Sequence, residues 1–331
     1  MSSPFILVVG GAGFIGSHAC KTLHRQGFRP VVVDDLSNGD AAAAKWGPVI
    51  FGRAGDNGLM RRVVRKFRPV GVLYFASFIE SSISKIDPIK YYKNNIAEFL
   101  ECSSILIEEN VGRVVFSSSA AVYGGDSSTP ISETQDLNPL TPYGHSKAVV
   151  EHILQELSLA HDLRYCALRY FNAAGADPEG ELSENHEPET HLVPLAIRAS
   201  FDPSSELRIY GTDYDTPDGT CIRDYVHVSD LAEAHVAALK RLISGGENLI
   251  ANLGAGRGHS VREVIDMVQV VSGKPVRVRE MPRRAGDPAI LVADISRAKR
   301  ELNWSPGRSR LETIVQDALN VLGRRLTNAQ S

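Results

Sequence analysis

Residues 5–18 read FILVVGGAGFIGSH, an apolar run that meets glycines at Gly10, Gly13 and Gly16 and then continues as a helical pattern. The stretch satisfies both the Gly11-x-Gly13-x-x-Gly16 pattern and the wider Gly10-x-x-Gly13-x-x-Gly16 spacing. Glycines in a strand-to-helix turn permit the tight reversal and let the backbone approach a pyrophosphate at the helix N-terminus. A glycine pattern alone is weak, and an empty glycine turn in a sheet is its alternative reading. Here VVVDD closes the next strand and places Asp34 to accept hydrogen bonds from an adenosine ribose. Asp34 and Asp35 together repel a 2′-phosphate, which favours NAD over NADP.

The same rhythm continues. Apolar runs at 5–9, 30–34, 49–52, 71–76, 112–118 and 164–170 alternate with helical patterns near 14–26, 56–67, 88–110 and 143–161. Runs that are apolar throughout, rather than at every second residue, are buried on both faces, which predicts a doubly wound α/β fold around a parallel sheet. After residue 172 the chain becomes rich in loops and proline up to 194. A helix near 229–243, a strand-like stretch at 248–256 and a C-terminal tail of helices follow. We therefore expect a Rossmann unit of residues 1–172 plus about 225–256. A second, smaller discontinuous α/β unit of 173–224 and 257–331 would bind the substrate.

Composition removes several function classes. A net charge of −3 and no basic stripe interleaved with aromatics argue against nucleic acid as a partner. No apolar run is long enough for a membrane span, and PFILVVGG lacks a basic n-region, so the cytoplasm is the expected compartment. Cys20, Cys102, Cys166 and Cys221 lie without CxxC spacing, which favours reduced thiols. HEPETH gathers His186, Glu187, Glu189 and His191, but nearby prolines and the lack of helical spacing favour a loop, and no metal is expected.

TPYGHSK sets Tyr143 and Lys147 four positions apart on one face of a helix, where an ammonium can favour an ionised phenol. With ten tyrosines, chance supplies about 0.3 such pairs, so context decides. That context is VVFSSSAAVYG (114–124), whose strand end places Ser119 at the same crevice, giving a serine–tyrosine–lysine relay around a substrate hydroxyl.

GGAGFIGSH, SSSAAVYG, TPYGHSK, LRYFNAAGADPEG, GTDYDTPDGTCIRDYVHVSDLAEAH, NLGAG and RRAGD together resemble the extended short-chain dehydrogenase/reductase superfamily, and within it the UDP-glucose 4-epimerases. The resemblance spans nearly the whole chain. It implies Ser119 and Tyr143 as catalytic hydroxyls, with Lys147 lowering the tyrosine pKa and holding the nicotinamide ribose. NAD contacts implied in the same way are Gly10, Gly13, Phe14, Ile15, Gly16, Asp34, Asn38, Phe75, Ala76, Asn95 and Tyr170. For a UDP-hexose they are Asn172, His191, Leu192, Tyr210 against the uracil, Arg223, Arg284, Asp287 and Leu291. Arginine forks suit a diphosphate and an aromatic ring suits a base, although each arginine alone reads equally as a solvated surface charge. Leu291 reads either as the border of the hexose pocket or as a core-facing strand residue.

The implied activity interconverts UDP-galactose and UDP-glucose through a 4-keto sugar and NADH, with the UDP gripped and the hexose free to turn. Relatives pair as homodimers through helices matching 88–110 and 143–161; Val149, Ile153, Leu154 and Leu157 serve that face or the core. Ala120 and Ala121 leave no carboxylate for a 4,6-dehydratase or a glucuronate decarboxylase. A UDP-arabinose 4-epimerase stays open. Departures cluster at Arg53 after Gly52, at Ile79, and at Ser82, Ile83 and Ser84 where the family has Gly-Glu-Ser; His191 replaces an asparagine. They raise a further reading, a catalytically weak NAD-binding regulator, against which intact Ser119, Tyr143 and Lys147 argue.

Overall fold

A computed structural model describes residues 3–125, 130–184, 188–202, 204–284 and 286–328, with the backbone alone for 324–328. Six strands alternate with helices through the first half: β1 (Phe5–Val9), β2 (Arg29–Asp34), β3 (Val49–Phe51), β4 (Val72–Tyr74), β5 (Arg113–Ser119) and β6 (Arg164–Tyr170). Seven shorter ones follow: β7 (Asn172–Ala174), β8 (Leu207–Tyr210), β9 (Ile222–His227), β10 (Leu249–Leu253), β11 (Gly258–Ser260), β12 (Val278–Met281) and β13 (Ile290–Leu291). β10-β6-β5-β4-β1-β2-β3 form one parallel seven-stranded sheet, the doubly wound α/β fold that the apolar runs predict.

Alternation along each strand feeds two cores. Ile6, Val8, Val32, Leu73, Val115, Cys166 and Leu168 meet α1 (Phe14–Arg25) and a later helix at Val228–Ile243. Leu7, Val9, Val31, Val72, Val114, Phe116 and Ala167 face the other way, onto α2 (Asn57–Phe67) and the helices after β4. Because both faces are covered, no strand of this sheet needs a polar side, which is why the runs read as continuous.

The helix expected over 88–110 is three pieces. After α3 (Ser81–Ser84) come α4 (Pro88–Tyr92), a π-helical segment Lys93–Ala97 and α5 (Glu98–Glu108). π segments inside helices are common beside functional sites. α6 (Pro142–Ala160) follows, its first turn capped by Thr141 Oγ1 accepting from the Gly144 N–H at 3.1 Å.

Beyond β6 the sheets are small. β9 pairs with β7, β11 and β13, so Asn172 lies opposite Tyr225 and Leu291 opposite Arg223. β8 pairs with β12. Helices α7 (Leu192–Phe201), α8 (Val228–Ile243), α9 (Val261–Ser272), α10 (Ser296–Leu302) and α11 (Leu311–Asn328) complete the chain, and α7, α9 and α11 build a third core around Ile197, Ile209, Val268 and Ile314. Asp224, buried in β9, accepts from the Ala255, Gly256 and Ala293 N–H groups and so fastens these loops to one another.

Candidate active site

β1 and β4 lie side by side, yet the chain leaves them toward opposite edges of the sheet. At such a switch point the connections diverge and open a crevice at the strands' carboxyl ends. That crevice is one continuous cavity that runs from the Gly10–Gly16 turn and Asp34 to Ser119 and Tyr143. Its lining includes Gly10, Gly13, Phe14, Ile15, Gly16, Asp34, Asn38, Phe75, Ala76, Ser119, Tyr143, Tyr170, Asn172 and His191, all expected site residues.

Gly10 has φ +79°, and a Cβ there would stand 2.5 Å from the Ala76 nitrogen. The turn can therefore press against the end of β4 only as glycine. α1 starts at Gly13 with no side-chain cap, leaving its first N–H groups facing the crevice. At the end of β2 the Asp34 carboxylate accepts from the Ala12 and Leu36 N–H groups at 2.9 Å each. Burial raises its pKa against the pull of those hydrogen bonds.

Tyr143 and Ser119 converge because α6 begins on top of the turn after β5. Gly144 allows it: a Cβ there would meet the Ala121 carbonyl oxygen at 2.4 Å. The phenol interacts with the Ser119 hydroxyl, whose oxygen also accepts from the Ala121 N–H at 3.2 Å. Lys147, 2% exposed, donates from Nζ to the Ser117 carbonyl at 2.9 Å and lies 5.8 Å from the Tyr143 ring centroid. Here the pKa expectation needs correction. Burial pushes the Tyr143 phenol well above its ordinary value, and burial pushes the Lys147 ammonium down to about 7.

Other residues fall into place differently from expectation. Asn95 does not line the crevice: its amide accepts from the Phe78 N–H and donates to the Phe78 carbonyl and Ser146 Oγ, bracing the 75–79 segment from the π turn. Leu192, half-buried, packs against the third core and does not line the crevice. Tyr210, Arg223 and Leu291 on the small sheets, and Arg284 and Asp287 in the connection between β12 and β13, lie outside the crevice lining. Arg284 lies 3.9 Å over the Tyr210 ring, and Arg223 pairs with Asp287. Leu291, half-buried, packs on a cluster of Ala120, Tyr123 and Phe171, whose chain neighbours Ser119 and Asn172 line the crevice.

Sequence reasoning missed Glu98 and Glu184, which also line it. Glu98 pairs with Arg53 at the rim, so the arginine departure is compensated by a carboxylate forty-five positions away. Glu184 and Glu189 lie 2.7 and 3.0 Å from His191 Nδ1. Burial would lower this imidazole, but the two carboxylates outweigh it and push it up to about 10, so it stands in the site as a cation. His186 and Glu187 lie outside the described residues. In the altered 79–85 loop, Ile79 lines the crevice and Ser84 Oγ accepts from the Tyr143 N–H at 3.3 Å, which keeps the loop seated on α6.

The model of the NAD dependent epimerase/dehydratase family matches residues 6–254. The chain belongs to that family. Within it, the UDP-glucose 4-epimerase of Rhizobium meliloti is 43% identical over 325 residues, 98% of this chain and 99% of the relative. The crystal structure of UDP-glucose 4-epimerase from Brucella ovis in complex with NAD superposes with a TM-score of 0.95 at 46% identity, over 97% of this chain and 99% of that one. A third family member, from Stenotrophomonas maltophila with bound NAD and formylated UDP-arabinopyranose, has a TM-score of 0.93 at 37% identity, over 98% and 99% of the two chains.

Proposed function

We infer that this chain is an NAD-dependent UDP-glucose 4-epimerase, an isomerase that interconverts UDP-galactose and UDP-glucose through a transient 4-keto sugar. The observation that carries the inference is the convergence of Ser119 and Tyr143 beside the Gly10–Gly16 turn, in a chain similar over nearly its full length to UDP-glucose 4-epimerases.

The residues present fit NAD. The uncapped start of α1 and the Gly10 turn suit a pyrophosphate, and the Asp34 carboxylate, already fixed by two N–H groups, suits ribose hydroxyls. Asn38, Phe75, Ala76 and Tyr170 complete that wall, and Lys147, held on the Ser117 carbonyl, lies outside the lining. Bound NAD supplies reversible hydride exchange at the sugar C4 and, when oxidised, a positive charge. Tyr143 takes the proton of the 4-hydroxyl and returns it, Ser119 holds the hydroxyl oxygen in place, and the charge of the Lys147 ammonium and of oxidised NAD would favour the tyrosinate against the burial that opposes it. Arg223 and Arg284 neutralise the diphosphate, while Tyr210 takes the uracil and Asn172, His191 and Asp287 orient the UDP-sugar. In this reading residues 173–224 and 257–331 form the sugar-binding unit, and 1–172 with about 225–256 the cofactor unit. A UDP-pentose is a second substrate class, supported by the arabinopyranose derivative held by the Stenotrophomonas relative.

We further place the enzyme in galactose metabolism in the cytoplasm, consistent with four buried free cysteines. Among the described residues no helix is long and apolar enough to cross a membrane. A homodimer formed through α5 and α6 is supported by Leu100 at 44% exposure and by half-buried Val149, whereas Leu154 belongs to the core and Ile153 and Leu157 pack against it. Light scattering at micromolar concentration is expected to give twice the chain mass; a monomer rejects the pairing.

Two assays test the reading. Purified protein is expected to release NAD on denaturation and to convert UDP-galactose to UDP-glucose without stoichiometric added coenzyme; consumption of one NAD per sugar would mark a dehydrogenase instead. Leu291 as the hexose border predicts that UDP-galactose outruns UDP-N-acetylgalactosamine. Leu291→Cys should then raise relative kcat/KM for the N-acetyl sugar by about 5-fold or more, as overpacking relieved by about 1 kcal/mol implies. An unchanged ratio assigns Leu291 to packing alone.

A further inference from the structure

One buried carboxylate, Glu151, has no part in the chemistry described so far. Tyr143, Lys147 and Glu151 follow one another at four-residue intervals on α6, and Glu151 is 4% exposed. Its carboxylate accepts from Ser118 Oγ at 2.5 Å. It also accepts from Arg169 Nε at 3.0 and 3.1 Å and from Arg169 Nη2 at 2.5 Å. Arg169 Nη1 donates to the Tyr123 hydroxyl at 2.9 Å, which donates to Asn252 Oδ1 on β10 at 2.6 Å. Every polar group in the chain of contacts is partnered, as a buried ion pair requires.

The placement ties this cluster to the site. Ser118 and Arg169 are register partners on β5 and β6, turned toward α6. Their successors Ser119 and Tyr170 are also register partners, and successive side chains on a strand point to opposite faces, so both of these line the crevice. One carboxylate therefore fixes the strand positions that deliver Ser119 and Tyr170 against the helical turn that delivers Lys147. We propose that Glu151 is a positioning residue for the reaction: it locks Lys147 relative to Ser119 and Tyr170 and supplies the negative charge that keeps the Lys147 ammonium in a desolvated place.

Groups around Lys147 leave that task to Glu151. β5 offers the Ser117 carbonyl and the Phe116 ring, 4.9 Å away, neither of which titrates. From α6 come Tyr143 and Glu151. From β6 come Tyr170, which acts on Tyr143, and Arg169, which is turned onto Glu151. Glu80, in the loop before α3, likewise acts on Tyr143. Burial lowers Lys147 and Glu151 is the charged side chain that opposes it.

The inference rests on the reading of Lys147 as the cation of the relay, so the test observes Lys147 itself. In full-length protein labelled with [ε-13C]lysine, the Lys147 resonance is assigned by its loss in Lys147→Arg. Glu151→Gln is expected to move its titration midpoint down by about one pH unit or more, as removal of a close opposite charge implies. The alkaline limb of kcat/KM for UDP-galactose should move down with it, while Glu151→Asp restores most of the wild-type midpoint. Where Glu151→Gln alone does not fold because Arg169 is left unpaired, the pair Glu151→Gln with Arg169→Met removes both charges and should lower the midpoint in the same sense. A folded variant with an unchanged midpoint, even one less stable, overturns the proposal. Wild-type protein without turnover of UDP-galactose would sink the epimerase reading instead, and the lysine titration would still be readable.

Discussion

Tyr143→Phe is expected to lower kcat by roughly 10² to 10⁴, the range for loss of a general acid–base group, while NAD content stays near that of the wild type. The separation follows from the contacts. The phenol oxygen interacts with Ser119 inside the crevice, whereas the Gly10 turn and Asp34 that suit the cofactor belong to β1 and β2 and do not involve it. The variant keeps the buried ring and removes one oxygen, which burial has already made a costly place for charge. Turnover measured beside released nucleotide checks both halves. Near-normal kcat would remove Tyr143 as the base, and loss of NAD with kcat would make its role one of cofactor binding.

Gly10→Ala should abolish NAD retention. The residue has φ +79°, where a side chain costs about 1 to 2 kcal/mol, and its new Cβ would sit 2.5 Å from the Ala76 nitrogen and 2.8 Å from its Cα. Backbone cannot swing aside as a flexible side chain does, so an overpacking cost of about 1 to 3 kcal/mol adds to the strain. Relief requires the β1 turn to move away from β4, and that movement deforms the cradle at the start of α1. The expected result is purified variant with little bound nucleotide and a lower urea midpoint. Full NAD occupancy at wild-type stability would show that the turn does not set the site.

Much of the large sheet and its crevice is legible in the sequence because each strand is apolar on both faces and each turn carries its own chemistry, as at Gly10, Asp34 and Thr141. Tyr143, Lys147 and Ser119 are legible because spacing along one helix and one strand end defines them. The rest depends on partners distant in the chain. Nothing local signals that Asn95 braces Phe78 from a π turn, or that Glu98 answers Arg53. The strands β7, β8, β9, β11, β12 and β13 of the small sheets hold only two to six residues each, too few for a periodic pattern to emerge. Leu192 opens α7 in a stretch that reads as loop, and it packs half-buried against a core shared with α9 and α11, some seventy or more positions further on. The spacing gives Lys147 as a partner for Tyr143 but not its burial, set by β5 and Phe116, which makes its charge dependent on its surroundings.

The central claim is that hydrogen leaves C4 of a UDP-hexose and returns to the same carbon from the other face. Incubating the purified protein with UDP-[4-2H]galactose, with no coenzyme added, tests this most directly. UDP-glucose that retains deuterium at C4 over many turnovers per bound NAD is the expected product; deuterium lost to solvent, or a 4-keto sugar accumulating in step with consumed NAD, would contradict return of hydrogen to the same carbon.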